Sequence, residues 1–150
     1  MSDSDYTSDM SIDERVMMAI VRVAERFKKE SSAVFKNYGL TFPQYNVLRV
    51  LDASKNGQNT MRNVKRIMLV SGANMTGITK RLEKTGFVVR TSDPKDDRLK
   101  RLEITPKGRR VLRDISDEKE RNVTKYLKKY TNEKKNEILS VLRGILKEKP

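Results

Sequence analysis

Apolar residues recur at helical spacing along most of the chain. Between Ile12 and Val34 they lie three, four or seven positions apart, which predicts one amphipathic helix that ends near Gly39. Two later segments, 87–91 and 101–105, are instead β-prone, and the second alternates polar and apolar residues. The helical periodicity predicts five further helices, over about 41–53, 60–68, 72–84, 106–130 and 132–147.

Short local signals place the ends of these elements. Thr41 and Gln44 have the spacing of a capping box, and Thr105 followed by Pro106 is typical of a helix start. Residues 92–97 are dense in turn formers, so the two β-prone segments are predicted to form a hairpin with a charged tip. The fold class is therefore mostly α with a small β-hairpin that follows a helix-turn-helix.

Charge adds most to this picture. Thirty-three Lys and Arg residues against twenty Asp and Glu give a net charge of +13, although residues 1–14 contain five acidic residues and no basic one. Such a surplus attracts a polyanion such as nucleic acid. The low apolar share, 36%, also indicates that a partner subunit completes part of the core. Residues 1–11, rich in Ser and Asp, are predicted to be a disordered acidic arm.

Absent residue types narrow the function. The chain has no Cys and no His, which removes thiolate chemistry, the usual general base near neutral pH and the commonest ligands of transition metals. We therefore expect no catalytic residues, no metal and no cofactor. No apolar run approaches the roughly 20 residues that cross a bilayer. Because the N-terminus is acidic, it is unlike a secretory signal, and a cytoplasmic protein is expected.

The helix predicted at about 72–84 is the candidate DNA reader. Once Met75, Ile78 and Leu82 face the core, the 3.6-residue period turns the intervening residues towards solvent. Asn pairs well with adenine and Ser or Thr with several bases, whereas Lys and Arg suit phosphates. An ordinary surface helix is the alternative. The predicted DNA-binding residues here are Ser71, Ala73, Asn74, Thr76, Gly77, Lys80, Arg81 and Lys84.

The hairpin tip, residues 92–99, is a second candidate site. Asp93, Asp96 and Arg98 have the spacing D-x-x-D-x-R. A lone Arg at such a tip suits the narrow, electronegative minor groove of A·T-rich DNA. The two carboxylates would weaken DNA binding unless they orient Arg98 through charge-assisted hydrogen bonds. The competing interpretation is a solvated turn with local ion pairs of little consequence.

Taken together, residues 40–108 resemble the MarR family of winged-helix regulators. The order of the elements and the hairpin tip, Asp93-Pro94-Lys95-Asp96-Asp97-Arg98, carry most of the likeness, and the flanking helices extend it to nearly the whole chain from Ile12. The other matching residues are Leu40, Thr41, Gln44, Leu48, Val70, Ser71, Thr76, Leu82, Glu83, Gly86, Phe87, Val88, Arg90, Leu102, Ile104, Thr105 and Gly108.

This resemblance implies a homodimer. Residues 12–37 and 106–147 would form a helical dimerisation region, and residues 38–105 a winged helix-turn-helix lobe that binds double-stranded DNA. The reader helix would lie in the major groove and Arg98 in the minor groove, oriented by Asp96 and Asp93. Family members usually repress genes and release DNA when a small aromatic or lipophilic effector binds. The expected function is thus a sequence-specific transcriptional repressor whose half-sites lie about one helical turn apart.

One segment departs from the family pattern. The first helix of the helix-turn-helix commonly carries a Glu-Leu-Ala-like sequence, whereas this chain has Asn63-Val64-Lys65. Lys65 cannot be buried as an alanine would be unless its side chain snorkels to the surface. It either adds a phosphate contact or indicates a shifted register.

Other functions stay open on sequence alone. An architectural nucleic-acid binder without a defined operator is the closest alternative, and a protein–protein adaptor on the same lobe is another. An enzyme would need a Ser–Lys pair or adjacent acids such as Asp96 and Asp97, and nothing else supports one. Phe42 and Tyr45 are candidates to line an effector crevice, although ordinary core packing explains both. The effector-binding residues are otherwise unknown.

Overall fold

The computed structural model describes residues 9–68, 72–93 and 95–147, and it confirms the mostly helical fold with a small antiparallel sheet. The helices are α1 (Ile12–Lys36), α2 (Phe42–Asp52), α3 (Met61–Met68), α4 (Gly72–Lys84), α5 (Pro106–Leu127) and α6 (Asn132–Lys147). The strands are β1 (Gln58–Thr60), β2 (Val88–Asp93) and β3 (Asp96–Ile104). Most of the predicted acidic arm, positions 1–8, lies outside the described residues.

Side-chain caps fix two helix starts where the sequence predicts them. Thr41 Oγ1 accepts a hydrogen bond from the Gln44 backbone N–H (3.3 Å), and Gln44 Oε1 accepts one from the Thr41 N–H (3.1 Å), which completes the capping box. Thr105 Oγ1 accepts from the Gly108 N–H (3.1 Å) and donates to the Gly86 carbonyl (2.6 Å). The start of α5 is therefore tied to the turn between α4 and β2.

The sheet has the order β1–β3–β2, and both pairings are antiparallel. β2 and β3 form the predicted hairpin, with Val88 opposite Ile104 and Asp93 opposite Asp96. The strands extend further towards the tip than the predicted β-prone segments 87–91 and 101–105, because cross-strand pairing continues to Asp93 and Asp96. β1 is not predicted at all; its polar residues pair with residues 101–103, more than forty positions along the chain.

The hydrophobic core lies between the hairpin and the helices that surround it. Every buried apolar residue in the described ranges lies between Phe35 and Ile115. Two details differ from the predicted helical faces, since Thr79 is fully buried in α4 beside a half-buried Ile78, and Ile67 on α3 is 55% exposed. The residues with almost no exposed surface include Val47, Leu48, Leu51, Val64, Val88, Leu102 and Ile115.

The contact between α1 and α5 is largely polar. Asn122 Nδ2 donates to Ser31 Oγ (3.0 Å) with both residues buried, and Tyr38 donates to Glu118 Oε2 (2.8 Å). Tyr126, one helical turn beyond Asn122 on α5, donates to Glu30, which directly precedes Ser31 on α1. Such paired polar groups fix the register of two helices more specifically than apolar packing does. No helix within the described residues has an apolar stretch long enough to span a lipid bilayer.

Candidate nucleic-acid interface

The helices α3 and α4 form the predicted helix-turn-helix, and side-chain hydrogen bonds anchor its first helix to β1. Thr60 Oγ1 accepts from the Asn63 N–H (3.1 Å), so Thr60 caps α3. Asn59 Oδ1 accepts from Asn63 Nδ2 (3.1 Å), while Asn59 Nδ2 donates to Ser54 Oγ (3.1 Å). Ser71, which precedes α4, lies outside the described residues.

The segment that departs from the family pattern keeps an ordinary helical register. Val64 is fully buried, whereas Lys65 is exposed. Lys65 therefore does not occupy a core position, and its charge needs no snorkelling. The first helix of the helix-turn-helix instead presents a basic side chain to solvent.

The solvent side of α4 carries the residues predicted to read DNA. Met75, Thr79 and Leu82 are buried, and their burial orients the opposite face outwards. The Thr76 hydroxyl donates to the Gly72 carbonyl (3.0 Å), so in this structure it is engaged within the helix. The predicted residues of α4 are all exposed: Ala73, Asn74, Thr76, Gly77, Lys80, Arg81 and Lys84.

Small residues occupy the N-terminal half of this face. Ala73 and Gly77 are four positions apart and so lie one above the other. A Cβ added to Gly77, or to Gly72 at the helix start, would meet no atom within 4 Å. Packing within the protein therefore does not require glycine at Gly77, and an outside surface can approach the α4 backbone closely there.

An ion pair fixes the hairpin to α4. Arg90 on β2 donates to Glu83 Oε1 on α4 from both Nε (2.9 Å) and Nη2 (2.6 Å). Charge-assisted bonds from a planar guanidinium are directional, so this pair sets the orientation of β2 against the helix. The sequence places both residues in the family pattern but does not predict their contact. Their separation of seven residues across one turn was the available signal.

At the hairpin tip, Asp96 braces Arg98. The Arg98 side chain is 91% exposed, yet its Nε lies 3.1 Å from Asp96 Oδ1 and its Nη2 lies 3.4 Å from Asp96 Oδ2. The Arg98 backbone N–H also donates to Asp96 Oδ1 (3.0 Å). These bonds, the side-chain ones first, hold the pKa of the Asp96 carboxyl below its usual value. The tip thus exposes the Arg98 guanidinium to solvent, while hydrogen bonds to the ionised Asp96 carboxylate hold the side chain in position.

The second acidic residue of the tip has a different partner. Asp93 accepts from the Lys95 N–H (2.8 Å) and from Arg101 Nη1 on β3 (3.4 Å). Of the two carboxylates predicted to orient Arg98, only Asp96 contacts it in the described structure. Asp93 instead bonds Arg101 and so links the tip to β3. The described part of the chain contains no group of three or more acidic side chains arranged to hold a metal ion.

The helix pair α3–α4 followed by the β2–β3 hairpin defines a winged helix-turn-helix protein. A model of the MarR family matches residues 38–99, the segment that contains these elements. YkoM, an uncharacterized HTH-type transcriptional regulator of Bacillus subtilis, is 34% identical over 105 residues, which are 68% of this chain and 67% of YkoM. The chain belongs to the MarR family.

A second curated relative extends the comparison. TtmR, an HTH-type transcriptional regulator of Methylorubrum extorquens, is 33% identical over 109 residues, which are 73% of this chain and 55% of TtmR. The chain therefore spans little more than half the length of that curated relative. TtmR and YkoM are both named as transcriptional regulators, not as enzymes.

The solved structures share the fold at low sequence identity. Sco3205, a MarR family regulator from Streptomyces coelicolor in complex with DNA, has a TM-score of 0.84 and 20% identity, and the match covers 95% of this chain and 91% of Sco3205. CouR from Rhodococcus jostii, bound to p-coumaroyl-CoA, has a TM-score of 0.82 and 24% identity, with 95% and 99% of the two chains covered.

Proposed function

We propose that this chain is a sequence-specific DNA-binding transcriptional regulator that acts as a homodimer and represses its target genes. The exposed face of α4 would enter the major groove, and Arg98 would contact the adjacent minor groove. The observation that carries this proposal is the state of Arg98, which is almost fully exposed and yet braced by Asp96. Bracing lowers the conformational entropy that the side chain loses on binding.

The dimer is proposed from the apolar surface of the terminal helices, and residues 12–37 and 106–147 would supply it. The last turn of α1 and the first half of α5 pack into the core of the lobe, as the burial of Phe35, Val111 and Ile115 shows. The dimer surface would therefore be concentrated on the rest of α1 and on α6. Its exposed apolar residues are Ile12, Val16, Met17, Met18, Val21, Val23, Ile138, Leu139, Val141, Ile145 and Leu146.

We further propose that a small non-covalent ligand releases the DNA. CouR, which shares the fold, is bound to an aromatic acyl-CoA, and this supports a ligand-responsive regulator. Cysteine oxidation is not available to this chain, because it contains no Cys. A groove of about 500 Å³ lies along α1 beside Tyr126. Arg22, Arg26 and Glu25 line it together with Val21 and Val23 of the proposed dimer surface, so it is a candidate ligand site at the edge of that surface.

Selection of bound sequences from a random duplex pool, followed by footprinting of the best site, tests the regulator directly. We expect one preferred pseudo-palindrome protected in two half-sites about one helical turn apart. Random, unphased protection would instead favour the architectural alternative. No salt-dependent DNA binding at all would favour a protein–protein adaptor.

Arg98→Ala tests the hairpin tip. We expect the affinity for the best site to fall by about 1–3 kcal/mol, or roughly 5- to 150-fold, while the dimer stays intact. Lys95→Ala at the same tip is the matched control, because its side chain is exposed and forms none of the ion pairs found among the described residues. An unchanged affinity for Arg98→Ala would remove the minor-groove assignment.

A further inference from the structure

We propose that α3 is an additional DNA-contact surface that binds the phosphate backbone through Arg62, Lys65 and Arg66. The inference rests on the proposed function, since it assumes that α4 and the hairpin tip face DNA. It adds to that function a surface that contributes affinity without reading sequence.

The composition and burial of α3 separate one apolar face from one basic face. Arg62, Lys65 and Arg66 are all exposed, and the helix contains no acidic residue. Val64 is fully buried and anchors the opposite face. Arg62 and Arg66 are four positions apart and so share one line along the helix, with Lys65 beside them.

No acidic side chain among the described contacts neutralises the charge of this surface. Among the described residues, the ion pairs of the lobe involve Arg90, Arg98, Arg101 and Arg109, and none involves the three basic residues of α3. Arg66 Nη2 instead donates to Asn63 Oδ1 (3.2 Å), a neutral partner. Like charges four positions apart destabilise a helix by a few tenths of a kcal/mol, and a bound polyanion would remove that repulsion.

Asn63 also gives Arg66 a defined position. Asn63 Nδ2 donates to Asn59 Oδ1, and Asn59 is bonded in turn to Ser54 (3.1 Å for both contacts). The guanidinium of Arg66 is thus connected to the loop before β1 without losing its positive charge. This arrangement parallels the hairpin tip, where Arg98 is also held in place, although there the partner is a carboxylate.

The place of α3 in the fold agrees with backbone contact. In a helix-turn-helix the second helix enters the major groove while the first crosses the backbone. Phosphate contacts position a protein but carry no sequence information. We therefore expect the α3 surface to strengthen binding to a random duplex as much as binding to the best site.

The experiment compares two triple variants that each remove three positive charges. One carries Arg62→Gln, Lys65→Gln and Arg66→Gln, and Gln keeps the helix propensity of these exposed positions. The control carries Lys128→Gln, Lys129→Gln and Lys147→Gln, all exposed at the ends of α5 and α6. Affinities for the best site and for a random duplex are measured between about 50 and 200 mM salt, the range over which counterion release is large.

For the α3 variant, the slope of log K against log salt should become shallower by about 0.9 for each phosphate that the protein no longer neutralises, up to about 3 per protomer. The affinities for both duplexes should fall by a similar factor. Arg62→Gln alone should change the slope by about 0.9 per protomer and provides a milder test if the triple variant is poorly folded.

Three results would overturn the inference. If the slope of the α3 variant equals that of the control triple, α3 does not contact phosphate, although specific binding by the wild type would leave the proposed function intact. If only the best site loses affinity at an unchanged slope, the residues act on sequence reading instead. If the wild type does not bind DNA, the proposed function and this inference fail together.

Discussion

The lobe formed by α2 to β3 and the pair formed by α1 and α6 are built in opposite ways. Leu48, Val64 and Leu102 in the lobe are fully buried within a single protomer, and the hairpin and α5 complete their surroundings. In contrast, α6 contains no buried residue, and α1 buries only Ser31 and Phe35. The lobe therefore has a buried core, whereas the two terminal helices expose apolar stripes that no other described part of the protomer covers.

This difference in burial suggests separate roles in DNA binding and in dimerisation for the two regions. The lobe, whose core also contains Phe35 of α1 and Ile115 of α5, positions α4 and the hairpin tip, so its outer surface would be available for DNA. The apolar faces of the terminal helices stay exposed in the described protomer. In the proposed homodimer a second copy would both cover them and place a second lobe beside the first. The free energy of unfolding of the lobe should then be independent of protein concentration. The stability of the terminal helices should depend on it, because they would be stabilised by association.

The largest effect should come from charges placed on the exposed stripe of α6. Val141→Glu with Leu146→Glu alters side chains that are 62% and 71% exposed in the protomer, so the lobe should still fold. The variant should sediment as a monomer, and its affinity for a two-half-site operator should fall by about 10²- to 10⁴-fold, because the second half-site no longer gains from effective concentration.

Ser140→Glu is the control for that experiment, since it adds one negative charge, half the change in the double variant, to an exposed polar position of α6. It should leave the sedimentation coefficient and the affinity unchanged. A double variant that still sediments with the wild type as a dimer would show that α6 is not part of the dimer surface.

Leu48→Ala should have the next largest effect, and it tests the other side of the comparison. Leu48 is fully buried, so its truncation leaves a cavity and should lower the free energy of unfolding by about 2–5 kcal/mol in urea titrations. This loss should not depend on protein concentration. Leu146→Ala should instead lower the free energy of unfolding by an amount that depends on protein concentration. If the losses for both variants depended on concentration in the same way, the division into two regions would be contradicted.

The sequence predicted the lobe well because its signals are local. The capping box of Thr41 and Gln44, the cap at Thr60 and the start at Thr105 each depend on residues within three positions of each other. The predicted helices match the observed ones within a few residues for the same reason. The hairpin tip is also local, so the contact between Asp96 and Arg98 could be inferred from the spacing of the two residues.

Features that depend on distant partners were not predicted. β1 is a strand only because residues 101–103 lie beside it, and Arg90 contacts Glu83 only once β2 folds back on α4. Helical periodicity predicts which face of a helix is apolar but not how deeply each of its residues is buried. Ile67 is therefore exposed on α3, whereas Thr79 is buried on α4. The pairing of Asp93 with Arg101 could not be inferred either, since it depends on the register of the hairpin.

Gly77→Ala should have opposite effects on stability and on DNA binding. Ala is about 0.8–1.0 kcal/mol more favourable than Gly inside a helix, and an added Cβ at Gly77 meets no atom within 4 Å. The unfolding free energy should therefore rise by roughly 1 kcal/mol. If α4 approaches the bases closely at this position, the affinity for the best site should fall while binding to a random duplex is retained. Equal or better specific binding would show that α4 lies further from the groove floor.

The smallest effect should appear at the contact between α1 and α5, the helix that links the lobe to α6. Burial, and then the hydrogen bond to Glu30, raise the pKa of Tyr126 to about 12, compared with about 10 in an unfolded chain. The folded state therefore favours the protonated phenol, so its stabilising contribution is complete below about pH 10 and is lost as the pH rises from about 10 to about 12.

Tyr126→Phe should flatten this alkaline decline in unfolding free energy, whereas Tyr130→Phe, on an exposed side chain, should leave it unchanged. The midpoint of thermal unfolding measured between about pH 9 and pH 12 reports the difference, within the range set by the tyrosine pKa. If both variants decline as steeply as the wild type, the Tyr126–Glu30 contact does not couple α1 to α5. The register of α1 against α5 would then depend on the hydrogen bond between Ser31 and Asn122.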